Sequence, residues 1–91
     1  MLTLSTGKAE WARIYNFQQH EVTREINEYW ETILHHAGLL DGKGEPKKNA
    51  VADMMLVNGY GPKAPALAIR VKLKKRDGAY VLPILTQERV R

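Results

Sequence analysis

Four basic side chains that alternate along one short stretch are the residues best suited to chemistry with a polyanion. Every second position is basic at Arg70, Lys72, Lys74 and Arg76, and Lys75 adds a further charge. In an extended strand, residues two apart point to the same side and are spaced by roughly 6.6 Å. Such a row can follow the phosphates of one nucleic-acid strand, so these four residues are predicted phosphate contacts. The alternative interpretation is a solvated outer face that only protects a sheet edge from aggregation.

A second basic group follows Pro46, at the start of a predicted short helix. The helix is predicted over Lys47–Val57, and Lys47, Lys48 and Asn49 form its first turn. Proline suits this start, since its missing amide is not needed there. Free amides at a helix N-terminus bind phosphate, and adjacent lysines strengthen that binding. We therefore expect Lys47 and Lys48 to assist the basic strand, although a core helix with a solvated first turn explains them equally well.

Other chemistries find little support in the sequence. There is no cysteine, and the histidines are His20, His35 and His36. Glu31 and His35 are four residues apart and could share a metal, but no third ligand of suitable type is evident. Ser5 lies near the N-terminus without the turn that exposes a serine nucleophile. We therefore expect a non-enzymatic protein without a cofactor or a bound metal.

Length and composition indicate one ordinary globular domain. The chain has 91 residues, of which 44% are hydrophobic and 26% charged. These values predict a single domain over residues 1–91. No apolar run approaches the ~20 residues that cross a bilayer, and the first residues lack a signal-peptide core. The expectation is a soluble cytoplasmic protein that does not bind a membrane.

Charge is distributed unevenly along the chain. Residues 1–45 contain four Lys or Arg and seven Asp or Glu, a balance of −3. Residues 46–91 contain ten Lys or Arg and three Asp or Glu, a balance of +7, which accounts for the net charge of +4. A basic half predicts an acidic partner, and DNA or RNA is the first hypothesis. The acidic half adds a second expectation, that part of the basic row faces the chain's own glutamates.

The basic row is predicted to lie on a C-terminal β-hairpin over residues 66–86. Asp77-Gly78 is a dipeptide that tolerates positive φ and closes tight hairpins. A two-residue turn there pairs Arg76 with Ala79 and Lys75 with Tyr80. The opposite face is then apolar and predicted to be core, formed by Leu67, Ile69, Val71, Leu73, Tyr80, Leu82 and Ile84.

A long amphipathic helix is predicted before the hairpin. Apolar residues recur at steps of three and four over Lys8–Ala37, which is one stripe of a helix. At 1.5 Å per residue, this helix would be about 45 Å long, too long for a small domain to cover. The sequence leaves two alternatives open: a break around Asn16–His20, or packing against a second copy in a homodimer.

The predicted fold class is α+β, with helices over residues 5–57 and the hairpin after them. The order of helix, loop, helix and basic hairpin resembles a winged helix-turn-helix over about half of the chain, without a diagnostic motif. The resemblance implies a small nucleic-acid-binding protein in which the hairpin is the wing. The alternative function is a protein-interaction module, an adaptor, inhibitor or subunit, that uses the aromatic helix face, the acidic stripe or the hairpin edge.

Overall fold

The computed structural model describes residues 2–59 and 61–90, which form six strands and two short helices around one core. In chain order the elements are β1 (Leu2–Thr6), α1 (Lys8–Tyr15), β2 (Glu21–Glu25), α2 (Glu28–His36), β3 (Ala52–Asn58), β4 (Ala66–Val71), β5 (Lys74–Arg76) and β6 (Ala79–Arg89). The strands form one curled sheet, a half-barrel, in the order β1-β3-β4-β6-β2 with β5 also paired to β6. Only the β1–β3 pair is parallel among these pairs.

The predicted long N-terminal helix is wrong. α1 ends at Tyr15, within two residues of Phe17, whose φ of +59° is left-handed and incompatible with a continuing helix. The chain then forms β2, which pairs antiparallel with β6 and buries Val22 completely. A 45 Å helix would also exceed the longest dimension of the molecule, 37 Å. Sheet pairing therefore outweighs helix periodicity in this stretch, and the long seam proposed for a homodimer is absent.

The predicted helix over Lys47–Val57 is also wrong, and with it the winged-helix order. Residues 52–58 form the strand β3, which lies between β1 and β4. Met54 and Leu56 are buried while Asp53 is exposed, which is the period of two that a sheet imposes. A short apolar run of this kind fits a buried helix or a buried strand equally well, and neighbouring strands on both sides decide for the strand.

The C-terminal hairpin does not exist as a separate unit. Its residues supply β4, β5 and β6 to the larger sheet, with a bulge between Arg70 and Val71 and a break between β4 and β5. The pairing beside the turn is as predicted, since Arg76 is opposite Ala79. The predicted core face is buried at Leu67, Ile69, Val71, Leu73, Tyr80 and Leu82, and Ile84 packs against this core.

Both helices contribute to the same core. Ile14 is the buried residue of α1 and Leu34 the buried residue of α2. They join the apolar residues of the sheet in one continuous cluster, which also includes Leu39 and Leu40 from the loop after α2. The structure is thus one curled sheet whose core includes residues from two short helices and a loop.

The turn between β5 and β6 depends on backbone conformation more than on side chains. Asp77 and Gly78 have φ of +54° and +74°, the signs that a type I′ turn requires. We expect Gly78→Ala to lower the free energy of unfolding by about 1 kcal/mol, because alanine is strained at positive φ. Urea denaturation measures this loss. Gly42→Ala is the control, since Gly42 has open space around it and no positive φ, and it should change stability by less than about 0.5 kcal/mol. An equal loss in both variants would contradict the assignment.

Candidate nucleic-acid interface

Arg70 lies one residue before the end of β4 and is paired with an acid of the neighbouring strand β3. Its Nε donates to Asp53 Oδ1 at 2.8 Å, and its Nη2 donates to Asp53 Oδ2 at 3.3 Å. The two residues are register partners on the sheet, and each side chain is 53% exposed. The hydrogen bond from Arg70 lowers the pKa of Asp53, and the same bond raises the pKa of Arg70. Arg70 therefore already has an ion-pair partner within the protein.

Arg76 is also paired, with Glu21 of β2. The ion pair joins Arg76 Nη2 to Glu21 Oε2. On β6, Arg76 is the partner of Ala79 and Glu21 the partner of Pro83, so both side chains lie on one face of β6 with Val81 between those positions. Val81 lies between the two positions on this face, with Thr23 and Lys74 as its register partners, and is only 1% exposed.

Lys47 and Lys48 lie in a loop and not at a helix N-terminus. Asn49 has a φ of +60°, and no helix forms between α2 and β3. The loop nevertheless lies beside the basic strand, because Glu45 Oε1 is 3.4 Å from Lys75 Nζ. The structure thus brings together two basic groups that are about 25 residues apart in the sequence, by a contact that sequence reasoning did not foresee.

The lysines of these two segments remain exposed and unpaired. We call them the lysine rim, which consists of Lys43, Lys47, Lys48, Lys72 and Lys74. None has a carboxylate oxygen within 4.0 Å in the part of the chain that the structure describes. Strand alternation points Lys74 away from the face that carries Lys75 and its loop contact, so the lysines of the rim lie on both faces of the sheet.

A polar cluster that the sequence did not reveal joins the two outer strands of the sheet. Glu10 of α1 accepts hydrogen bonds from Thr6, from Gln19 Nε2 at 3.2 Å and from Arg24 Nη2 at 3.3 Å. Arg24 also donates to the backbone oxygen of Ser5 at 3.3 Å. Because Ser5 belongs to β1 and Arg24 to β2, this arginine bridges the two edges of the half-barrel.

Arg24 makes further contacts besides those with Glu10 and Ser5. Its Nη1 donates to the backbone oxygen of Thr23 at 2.8 Å, and its guanidinium lies 5.5 Å from the ring centroid of Trp30. Its side chain is 16% exposed and that of Glu10 is 24% exposed. Sequence spacing gave no signal for this cluster, since Glu10 and Arg24 both lie within the long helix that was predicted over Lys8–Ala37.

The cluster borders a cleft of about 590 Å³ at the start of α1, lined also by Lys8, Asn58 and Gly59. Burial of Glu10 by itself raises the pKa of its carboxyl group. Hydrogen bonds from Thr6 and Gln19, with the charge and hydrogen bond of Arg24, outweigh burial, so the pKa lies below its ordinary value. Both carboxylate oxygens of Glu10 accept hydrogen bonds, and the group is ionised. Such a carboxylate is suited to holding Arg24 between β1 and β2, and it is not suited to donating a proton.

No protein-family model, no curated protein and no solved structure matches this chain. Within residues 2–59 and 61–90, no three His, Asp or Glu side chains converge as a metal site would require. Over the same residues, neither helix has the length and hydrophobicity that a membrane span needs.

We expect Glu10→Gln to destabilise the fold by about 1–3 kcal/mol at pH 7, since hydrogen bonds to a charged acceptor contribute that much. The pKa of Glu10 is lower in the folded state, so its contribution is present above the unfolded pKa of about 4.3 and is lost as pH falls through the folded pKa. Denaturant titrations at several pH values between about 3 and 7 should show a shallower acid loss in the variant than in the wild type.

The matched control is Glu25→Gln, which removes the same charge from an exposed glutamate next to Arg24. The side chain of Glu25 has no hydrogen bond or ion pair among the described residues, so this variant should keep the stability of the wild type within about 0.5 kcal/mol. If both variants lost the same free energy of unfolding, Glu10 would be an ordinary surface charge and would not stabilise the contact between β1 and β2.

Proposed function

We propose that this protein binds nucleic-acid phosphates through the lysine rim, without catalysis. The observation that carries the proposal is that five exposed lysines, none with a carboxylate oxygen within 4.0 Å, lie on two segments that the Glu45–Lys75 contact brings together. Arg70, Lys75 and Arg76 of β4 and β5 each have an acid within that distance. Lysines left unpaired on two neighbouring segments are available to neutralise phosphates and to release their counterions.

The proposal changes the roles of the residues that the sequence singled out. Lys47, Lys48, Lys72 and Lys74 remain proposed phosphate contacts, and Lys43 joins them. Arg70 and Arg76 are engaged with Asp53 and Glu21, so contacting a phosphate would require them to share or leave those acids. In this proposal Arg70 joins neighbouring strands, Arg76 joins the two strands that flank β6, and the lysines supply the affinity.

Phosphate contacts carry no base information, so the rim by itself is expected to bind DNA and RNA of any sequence. Lysine offers a flexible point charge without the planar fork that reads guanine in the major groove. Affinity should therefore follow ionic strength closely and base composition weakly.

A second candidate is association with another protein through β1. This strand is one edge of the sheet, and its residues Leu2–Thr6 include no charged residue and no proline. Such an edge lacks the usual protection against strand addition. The homodimer through the N-terminal helix stays a prediction that nothing tests, and the long helix on which it rested is absent. Pairing of two copies through β1 is a different way to form a dimer. Analytical ultracentrifugation of the wild type and of Thr3→Pro tests it, because proline at the edge should abolish pairing through β1.

The first test is the double variant K72E/K74E, measured by fluorescence anisotropy with labelled duplex DNA and with single-stranded RNA. Wild-type affinity should fall with salt, at about 0.9 log units per log unit of salt for each phosphate neutralised on duplex DNA. The double variant should bind at least about tenfold more weakly at low salt, and its salt dependence should be shallower by about two phosphates.

The matched control is K8E/K63E, which makes the same change in net charge at two exposed lysines outside the rim. It should retain most of the wild-type affinity, since only the long-range part of the attraction is lost. Equal losses in the two double variants would show attraction by net charge alone. A salt-independent affinity, or no binding by the wild type at low salt, would rule out the proposed function.

A further inference from the structure

The loop between α2 and β3 carries three of the five lysines of the rim, and its projecting part is closed by a single carboxylate. Asp41 Oδ1 accepts from the backbone amides of Lys43 at 2.8 Å and Glu45 at 3.0 Å. The backbone of Asp41 completes the ring, since its amide donates to the Glu45 oxygen at 2.8 Å and its oxygen accepts from the Gly44 amide at 3.1 Å. These four hydrogen bonds lie within five consecutive residues.

Both ends of this loop are fixed to the rest of the molecule. Leu39 and Leu40 are 0% and 3% exposed and belong to the core. Leu40 forms a bridge with Pro46, and the amide of Lys47 donates to the Leu39 oxygen at 2.9 Å. The loop therefore projects from a buried base, and Asp41 sets the conformation of the part that projects.

Asp41 also controls how the loop meets the basic strand. Glu45, whose amide and carbonyl are both bonded to Asp41, is the residue whose carboxylate reaches Lys75 at 3.4 Å. Amide hydrogen bonds from Glu45 and Lys43 lower the pKa of Asp41, which keeps its carboxylate ionised and able to accept both. The spacing between loop and strand thus depends on one side chain that has no lysine ion pair of its own.

We propose that Asp41 is a positioning residue for phosphate binding, which holds Lys43 in the arrangement that a nucleic-acid backbone meets. The inference rests on the proposed function and adds a consequence opposite to simple electrostatics. Removing an acid beside a polyanion site ordinarily tightens binding, because a repulsive charge is lost. Here the loss of Asp41 should weaken binding, since a disordered loop has to be ordered by the ligand.

The experiment compares Asp41→Ala with Asp41→Asn, which remove the same charge and differ in geometry. Asparagine retains a side-chain oxygen that accepts the two amides, and alanine does not. D41N should bind duplex DNA as tightly as the wild type or more tightly, with an unchanged salt dependence. D41A should bind roughly three- to tenfold more weakly, which corresponds to ordering one or two rotamer-rich side chains on binding.

A readout independent of binding is hydrogen exchange of the Lys43 and Glu45 amides. Both amides should be protected in the wild type and in D41N and should exchange faster in D41A. A second variant leaves every charge in place: Gly44→Ala strains the loop because Gly44 has a φ of +78°. It should weaken binding as D41A does, whereas Gly42→Ala, in open space without positive φ, should not.

The outcomes separate this inference from the proposed function. If D41A and D41N both tightened binding to the same extent, Asp41 would act through its charge alone, and the positioning role would be overturned while binding by the lysine rim stood. If D41A lost amide protection but bound like D41N, loop order would be irrelevant to affinity, which also overturns it. If the wild type bound no nucleic acid, the proposed function and this inference would fall together.

Discussion

The curvature of the sheet is the constraint on which the rest of the structure depends. The curled sheet has one concave face that carries its apolar residues. These residues are buried only because other parts of the chain fill the space inside the curl. Two short helices and a loop fill that space, and the outer strands β1 and β2 come close enough for Arg24 to reach the backbone of Ser5. The Glu10–Arg24 pair thus adds a polar connection between β1 and β2, which are the two ends of the strand order and do not pair with each other.

Charge on the outer surface is arranged by the same curvature. Neighbouring strands place Arg70 beside Asp53, and the twist of the sheet carries Arg76 to Glu21. These pairs are partly exposed, so each adds little to the free energy of unfolding. Each nevertheless engages an arginine that would otherwise be available to bind a ligand. The cations that remain include the five of the lysine rim, which lie on the loop after α2 and on the segment around β5. The candidate function therefore follows from which lysines lack partners and not from the number of basic residues.

Prediction from sequence succeeded where a signal was local. The dipeptide Asp77-Gly78 specifies its own turn through backbone φ, and alternation around it assigned Leu67, Ile69 and Val71 to the core before any neighbour strand was known. The same reasoning failed at Val22 and Met54. Val22 also fits the apolar stripe of a helix, and Met54 lies in a short apolar run that suits helix or strand, so the choice depends on partners that are distant in the sequence.

By itself, then, the sequence determined the turn, the buried face beside it and the excess of basic charge in residues 46–91. Tertiary structure alone decided which of those charges are free, because pairing depends on the strand that becomes the neighbour. Arg70 and Lys72 are equivalent in the sequence pattern, yet only Arg70 stands opposite an acid. Contacts such as Glu45 with Lys75 join segments 30 residues apart, and no local pattern encodes a distance that only the folded sheet creates.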